Sequence, residues 1–238
     1  MSDLASKLID NLPKAELHLH IEGTLEPEMM LRLAKRNKIS LPYKDVEDVR
    51  KAYEFDCLQD FLDLYYLGMS VLLTEQDFFD LTWAYLERVH QDGLTHVELF
   101  FDPQAHTDRG VSFETVLGGL TSALEQAQSE LGISSKLIMC FLRHLPEEQA
   151  FDALECACKH KEHIFGVGLD SSEKGFPPPL FERVFAKARE EGFVPVAHLG
   201  EEGTAENVRE GLDLLKVERV DHGNHALDDP ALTQRLAK

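Results

Sequence analysis

Short apolar or β-branched runs alternate along this chain with longer stretches in which apolar residues recur at helical spacing. The short runs predict strands at Ala15–His20, His96–Phe101, Lys136–Phe141, Gly166–Asp170, Val194–His198 and Arg219–His222. Each is followed by turn chemistry such as Glu22-Gly23, Asp102-Pro103, Asp170-Ser171-Ser172, Gly200 or Gly223. The longer stretches predict helices over Asp77–Val89, Phe113–Leu131, Glu147–Cys158, Pro179–Glu191 and Ala205–Leu215. Further helices are expected between Glu26 and Met69, in the segments LAKRNKISLP and FDCLQDFLDLYYLG. Alternation of this kind is the signature of βα units around a parallel sheet. The fold class is therefore read as α/β, a (β/α)8 TIM-type barrel of which about six βα units are present. Residues 1–238 are read as a single domain lacking the last two units.

Composition narrows the function classes. The chain has 238 residues, 43% of them hydrophobic and 28% charged, within the range of ordinary globular domains. A formal charge of −19 is the wrong sign for a phosphate-rich polymer, so nucleic acid is excluded as the expected partner. No apolar run is long enough to span a bilayer, and MSDLASKLIDNLPKAE lacks the layout of a signal peptide, so a cytoplasmic location and no membrane partner are expected. The four cysteines, Cys57, Cys140, Cys156 and Cys158, read as buried free thiols rather than a disulfide framework. Oligomeric state leaves no mark in the sequence.

Three predicted strands carry histidine at or near their C-terminal ends, where barrels of this kind build their sites. His18 and His20 lie two apart on the first strand, so both imidazoles point to one face. Such a pair alone is a short motif with a high chance rate. His198 ends the fifth strand in VPVAHLGEEG and can complete a three-imidazole set, with Glu201 placed beside a metal as a proton shuttle. Glu202 is expected as a first-turn carboxylate of the following helix. His222 ends the sixth strand before Gly223. His106 is a weaker pocket candidate, and Asp102 and Asp170 are strand-end carboxylates suited either to holding pocket groups or to capping turns. Asp228-Asp229 reads as a helix N-cap. Gly166–Gly175 weakly echoes a glycine-rich phosphate loop, but no helix of suitable spacing follows and no lysine–serine pair closes it, so dinucleotide binding is not expected; a Gly-x-Ser-x-Gly nucleophile elbow is missing.

Taken in order, His18-x-His20, His198-x-x-Glu201 and His222-Gly223 resemble the adenosine and adenine deaminases of the amidohydrolase superfamily. The segments AELHLHIEGTLEP, FFDPQAHTDRG, GVGLDSSEKGFPP and HLGEEG look most like the adenine deaminase branch. The resemblance implies a Zn2+ site (Fe2+ or Mn2+ also suit imidazole) held by His18, His20 and His198, with Glu201 as proton donor and His222 as partner of the attacking water. It implies conversion of adenine to hypoxanthine and ammonia, a purine base as small-molecule partner, and substrate contacts from Asp170, Ser171, Ser172 and Glu173. The family's fourth ligand, an aspartate at the end of the eighth strand, has no counterpart here, and Leu199 stands where the family often has alanine. Two other readings stay open: a deaminase acting on adenosine or another 6-aminopurine, and a non-catalytic metal-binding relative.

Overall fold

The computed structural model describes Ile9 and residues 12–238, so most of the N-terminal stretch read above for a targeting signal lies outside the described residues. Six parallel strands follow one another in chain order: β1 (Lys14–His20), β2 (Leu94–Phe101), β3 (Ser134–Leu142), β4 (Gly166–Asp170), β5 (Val194–Leu199) and β6 (Arg219–His222). All six are where the apolar runs predict them, and β4 and β6 match to the residue. The chain divides into two units, one taking in the chain to Phe101 with Ala105–Lys136, the other Asp102–Gln104 with Leu137–Lys238.

In the first unit β1 pairs with β2, with Leu19 opposite Leu99 and His20 opposite Phe100. The stretch between these strands holds α1 (Pro27–Asn37), α2 (Val46–Ala52), α3 (Leu58–Met69) and α4 (Glu75–Gln91). Helix α1 ends at Asn37 because Lys38 turns left-handed, so the predicted helical segment from Leu33 stops short of Ile39-Ser40-Leu41-Pro42. Helix α4 opens with a capping box in which Thr74 and Asp77 satisfy each other's amides. It packs on α6 (Phe113–Glu130), the helix that follows the short α5 (Pro103–Thr107). The approach is close: a Cβ on Gly119 of α6 would lie 2.4 Å from the Glu75 carbonyl oxygen and 2.6 Å from Phe78 Cβ.

In the second unit β3 pairs with β4, β4 with β5 and β5 with β6, setting His198 opposite Asp221 and Leu199 opposite His222. Every residue of β4 is buried, as is all of β5 after Val194, which is why both read as continuous apolar runs. Helix α7 (Glu147–Cys158) forms as predicted. The helix expected over Pro179–Glu191 is a 3-10 turn, Pro178–Phe181, followed by α8 (Glu182–Glu190). Three consecutive prolines, Pro177 to Pro179, supply no amide hydrogens for an α-helical start. The helix expected over Ala205–Leu215 is α9 (Ala205–Glu210) continued by a π-helical turn, Gly211–Leu215. The widened turn lets Gly211 seat against Leu199, whose Cδ1 lies 2.2 Å from where a Gly211 Cβ would be. Helix α10 (Pro230–Leu236) begins at Asp229, whose carboxylate accepts from the amides of Ala231 and Leu232, the predicted N-cap.

The cysteines differ from expectation. Cys140, mid-strand in β3, is buried, but Cys57 is exposed and Cys156 and Cys158 are half-exposed, on either side of the buried Ala157 in the last turn of α7. Burial, with the carboxylates of Asp170, Asp102 and Asp221 adding to it, pushes the Cys140 thiol well above its ordinary range.

Candidate active site

The first unit carries the β1 imidazoles. His18 and His20 share a face, as the two-residue period of a strand requires, with ring centroids 5.7 Å apart. Both rings rest on Phe100 of β2, at 5.3 Å and 4.9 Å, and His20 meets Tyr65 of α3 edge-on at 6.4 Å. Just past β1, in the 3-10 turn Ile21–Thr24, the buried Glu22 accepts from His106 Nε2 at 3.1 Å and from the Tyr65 hydroxyl at 3.3 Å. Arg109, which has only donors, points Nη2 at His106 Nδ1 at 2.7 Å, so His106 carries its proton on Nε2 and donates it to Glu22. His106 is wholly buried in this network, which corrects its reading as a pocket residue.

The second unit carries His198, Glu201 and His222. His198, 5% exposed, closes β5 with Nδ1 3.0 Å from the Leu169 carbonyl oxygen. A carbonyl only accepts, so Nδ1 holds the proton and Nε2 presents the lone pair, the tautomer that a metal-ligating histidine requires. His222 follows with its ring centroid 5.1 Å from that of His198 and ring nitrogens within 4.8 Å. Its Nε2 lies 3.5 Å from Glu201 Oε2. His222 has φ 67° and Gly223 φ 68°, two successive left-handed residues that bend the chain sharply at the end of β6. Burial pushes the Glu201 carboxyl group above its usual range; His222 works against this, Glu173 and Glu202 add to it, and Arg143 opposes it.

The loop after β4 behaves differently from a simple row of substrate contacts. Asp170 is buried, with a carboxylate oxygen within 4.8 Å of one of Asp102. Ser171 has φ 73° and its hydroxyl lies 2.8 Å from His144 Nδ1, while Ser172 is half-buried. Glu173 is buried, and its carboxylate accepts from the amides of Gly200, Glu201, Glu202 and Gly203 at 2.8, 3.0, 3.1 and 2.8 Å. Glu202 is not in a helical first turn: α9 starts at Ala205 behind Thr204, and Glu202 pairs instead with Lys174 at 3.0 Å.

Sequence reasoning missed Arg143. Its fully buried guanidinium donates from Nε to the Phe176 carbonyl at 2.9 Å and from Nη1 to the His198 carbonyl at 2.8 Å. The available signal was a cation directly after the apolar run Leu137–Leu142, where a charge has to find buried acceptors. Gln104 is similar, its Oε1 accepting from the Leu142 amide at 2.9 Å.

Comparison with known proteins follows the same lines. The family model for adenosine deaminase matches residues 13–238. The adenine deaminase of Acinetobacter baylyi is 62% identical over 231 residues, 97% of this chain and 70% of the relative. That of Ectopseudomonas mendocina is 62% identical over 228 residues, 96% of this chain and 72% of the relative. The crystal structure of adenine deaminase from Arthrobacter aurescens superposes with a TM-score of 0.92 at 51% identity, covering 94% of this chain and 68% of the other. An amidohydrolase from Burkholderia ambifaria with bound Zn gives 0.91 at 26% identity, covering 100% and 66%. The fold is therefore α/β of the (β/α)8 TIM type, with six parallel strands among the described residues. The family that the histidine motifs resemble is the one found, and the chain belongs to the adenosine deaminase family, whose members are metal-dependent hydrolytic deaminases.

Proposed function

We propose that this chain carries the active site of an adenine deaminase, converting adenine and water to hypoxanthine and ammonia in purine salvage. The observation that carries the reading is the cluster at the ends of β5 and β6: a histidine in the ligating tautomer, a second imidazole beside it, and the Glu201 carboxyl group 3.5 Å from that second imidazole. The names of the relatives support adenine as the base. His18, His20 and His198 would hold a divalent cation, and neutral imidazoles suit Zn2+ first, with Fe2+ and Mn2+ also compatible. When bound, the cation supplies Lewis-acid activation of water near neutral pH.

The chain's own groups account for the proton movements. Glu201 donates to the ring nitrogen next to the amino-bearing carbon, which draws electron density away from that carbon as water adds. His222 accepts a hydrogen bond from the attacking water and orients it, then stabilises charge on the tetrahedral adduct. Of the two protons that the attacking water gives up, one would restore Glu201 and the other would pass by way of His222 to the amino group, which leaves as ammonia while the carbon–oxygen double bond forms. Asp170, Ser171 and Ser172 would contact the base; Glu173 has another task, considered below. A small neutral base also suits a chain of charge −19 better than a polyphosphate does. No helix among the described residues is long and apolar enough to cross a membrane. A cytoplasmic location, and a single barrel domain over residues 1–238 without its last two βα units, complete the proposed reading.

The test is loss of ultraviolet absorbance with adenine and with adenosine, together with metal analysis, on wild-type protein and Glu201→Gln. Adenine is expected to turn over faster than adenosine, and the variant to keep its metal while losing at least about a hundredfold in turnover. A preference for adenosine removes the adenine assignment. Bound metal with no turnover of either substrate favours a non-catalytic relative.

A further inference from the structure

We propose that Glu173 is a positioning residue, whose carboxylate fills a nest of four consecutive amides and thereby fixes the loop that carries Glu201. The inference rests on the reading of Glu201 as the proton donor. Successive backbone N–H groups curled around one point ordinarily make a site for an anion. Here the protein supplies its own anion, from a residue 27 to 30 positions earlier in the chain. Oε1 takes the Gly200 amide, and Oε2 takes those of Glu201, Glu202 and Gly203. Each carboxylate oxygen offers about two lone-pair directions, so three amides crowd Oε2 while Oε1 keeps one direction beside the Gly200 amide.

The nest is built for close approach. A Cβ on Gly203 would lie 2.5 Å from Glu173 Oε1 and 2.6 Å from its carboxyl carbon, so only glycine lets the backbone reach the carboxylate. Gly200, at φ 68°, makes the turn that swings the amides inward. A second tie of opposite charge runs alongside: Arg143 holds the carbonyl of Phe176, three residues after Glu173, and that of His198, three residues before Glu201. The segments 173–176 and 198–203, neither regular over its whole length, are thus cross-bonded by one buried anion through amides and one buried cation through carbonyls. Their registry sets where the Glu201 carboxyl group stands relative to His222.

Amide hydrogen exchange, metal content and steady-state kinetics with adenine, measured on the chain with Glu173→Gln and with Gly203→Ala, test the assignment. Glutamine turns a donor toward the donors of the nest; alanine pushes the carboxylate out while leaving its charge. In both, exchange of the amides 200–203 is expected to quicken at least about tenfold, with the strands elsewhere unchanged and the bound metal retained. Turnover is expected to fall about a hundredfold with KM little altered, the scale of an acid displaced by about 1 Å. Unchanged exchange in the nest, or a general loss of protection with metal and turnover lost together, overturns the proposal. Should wild-type protein fail to deaminate adenine, the functional reading falls, and the exchange data still decide whether Glu173 holds the loop.

Discussion

Asp77 accepts hydrogen bonds from both ends of its carboxylate, and replacing it by asparagine gives a prediction whose size follows from the contacts. Its side chain is fully buried. Oδ2 accepts from the amides of Leu73 and Thr74 at 3.0 and 2.7 Å, from the Thr74 hydroxyl at 2.8 Å and from Asn37 Nδ2 at 2.9 Å. Oδ1 takes the Arg36 guanidinium through Nε at 3.0 Å and through Nη2. One carboxylate thus joins the start of α4 to the end of α1. Asparagine keeps one oxygen for the amides and turns an NH2 group toward Arg36, donor against donor. Losing hydrogen bonds to a charged group costs about 1.5–3 kcal/mol each, discounted here because the Arg36 side chain is 39% exposed and regains water. A net loss of about 3 kcal/mol is expected, which at a urea slope of about 2 kcal/mol/M moves the unfolding midpoint down by about 1.5 M.

The pH dependence has a definite sign. Burial alone raises the pKa of Asp77, but Arg36, the Leu73 and Thr74 amides and the Thr74 hydroxyl outweigh it and hold the group below its ordinary value. The folded state therefore prefers the ionised form. The stability this contributes is complete above the unfolded pKa, about 3.9, and drains away as pH falls through the lower folded value. The gap between wild type and Asp77→Asn in urea titrations should be constant from about pH 5 to 7 and narrow below about pH 4. A midpoint shift equivalent to under about 1 kcal/mol, or a gap that widens on acidification, would refute the reasoning.

Two packing predictions follow from glycines that other groups crowd. Gly119→Ala forces α4 and α6 apart against backbone that cannot yield, so thermal unfolding should show a loss of about 1–3 kcal/mol; a neutral result means that the helices slide freely. Gly211→Ala meets the buried Leu199 side chain, and Leu199→Ala removes the obstacle. The double variant should recover at least about 1 kcal/mol relative to the sum of the single changes in a denaturation cycle, and strict additivity would show that the contact carries no strain.

Strand positions were legible in this sequence because the second unit buries β4 and most of β5 on both faces. GVGLD and VPVAHL then have no polar face to blur the run. The β1 histidines were legible for the complementary reason: a two-residue period needs only local sequence to place His18 and His20 on one face. What stayed hidden depends on contacts between distant segments. Nothing local says that Glu173 reaches the amides of Gly200 to Gly203, or that Arg143 ties Phe176 to His198. A carboxylate in a polar loop reads as available for a ligand until the loop 27 residues on is folded against it. Local chemistry also misjudged two helices, where three prolines and a glycine under Leu199 forced 3-10 and π turns onto patterns with good α-helical spacing.

Backbone strain makes the same point at the site itself. His222-Gly223 suggests that glycine alone takes the turn after β6, since only glycine enters the left-handed region without cost. Instead the histidine is left-handed as well, and so is Ser171 at the end of β4. Each such residue costs about 1 kcal/mol or more, and a fold keeps it only where neighbours over-determine it. Ser171 is held by His144 at 2.8 Å; His222 sits between the His198 ring and Glu201. In both places the distortion aims a polar side chain that an unstrained strand end would have directed elsewhere. The strain therefore belongs with the hydrogen bonds as part of the site's construction, and it is the part that a sequence pattern has no means to announce.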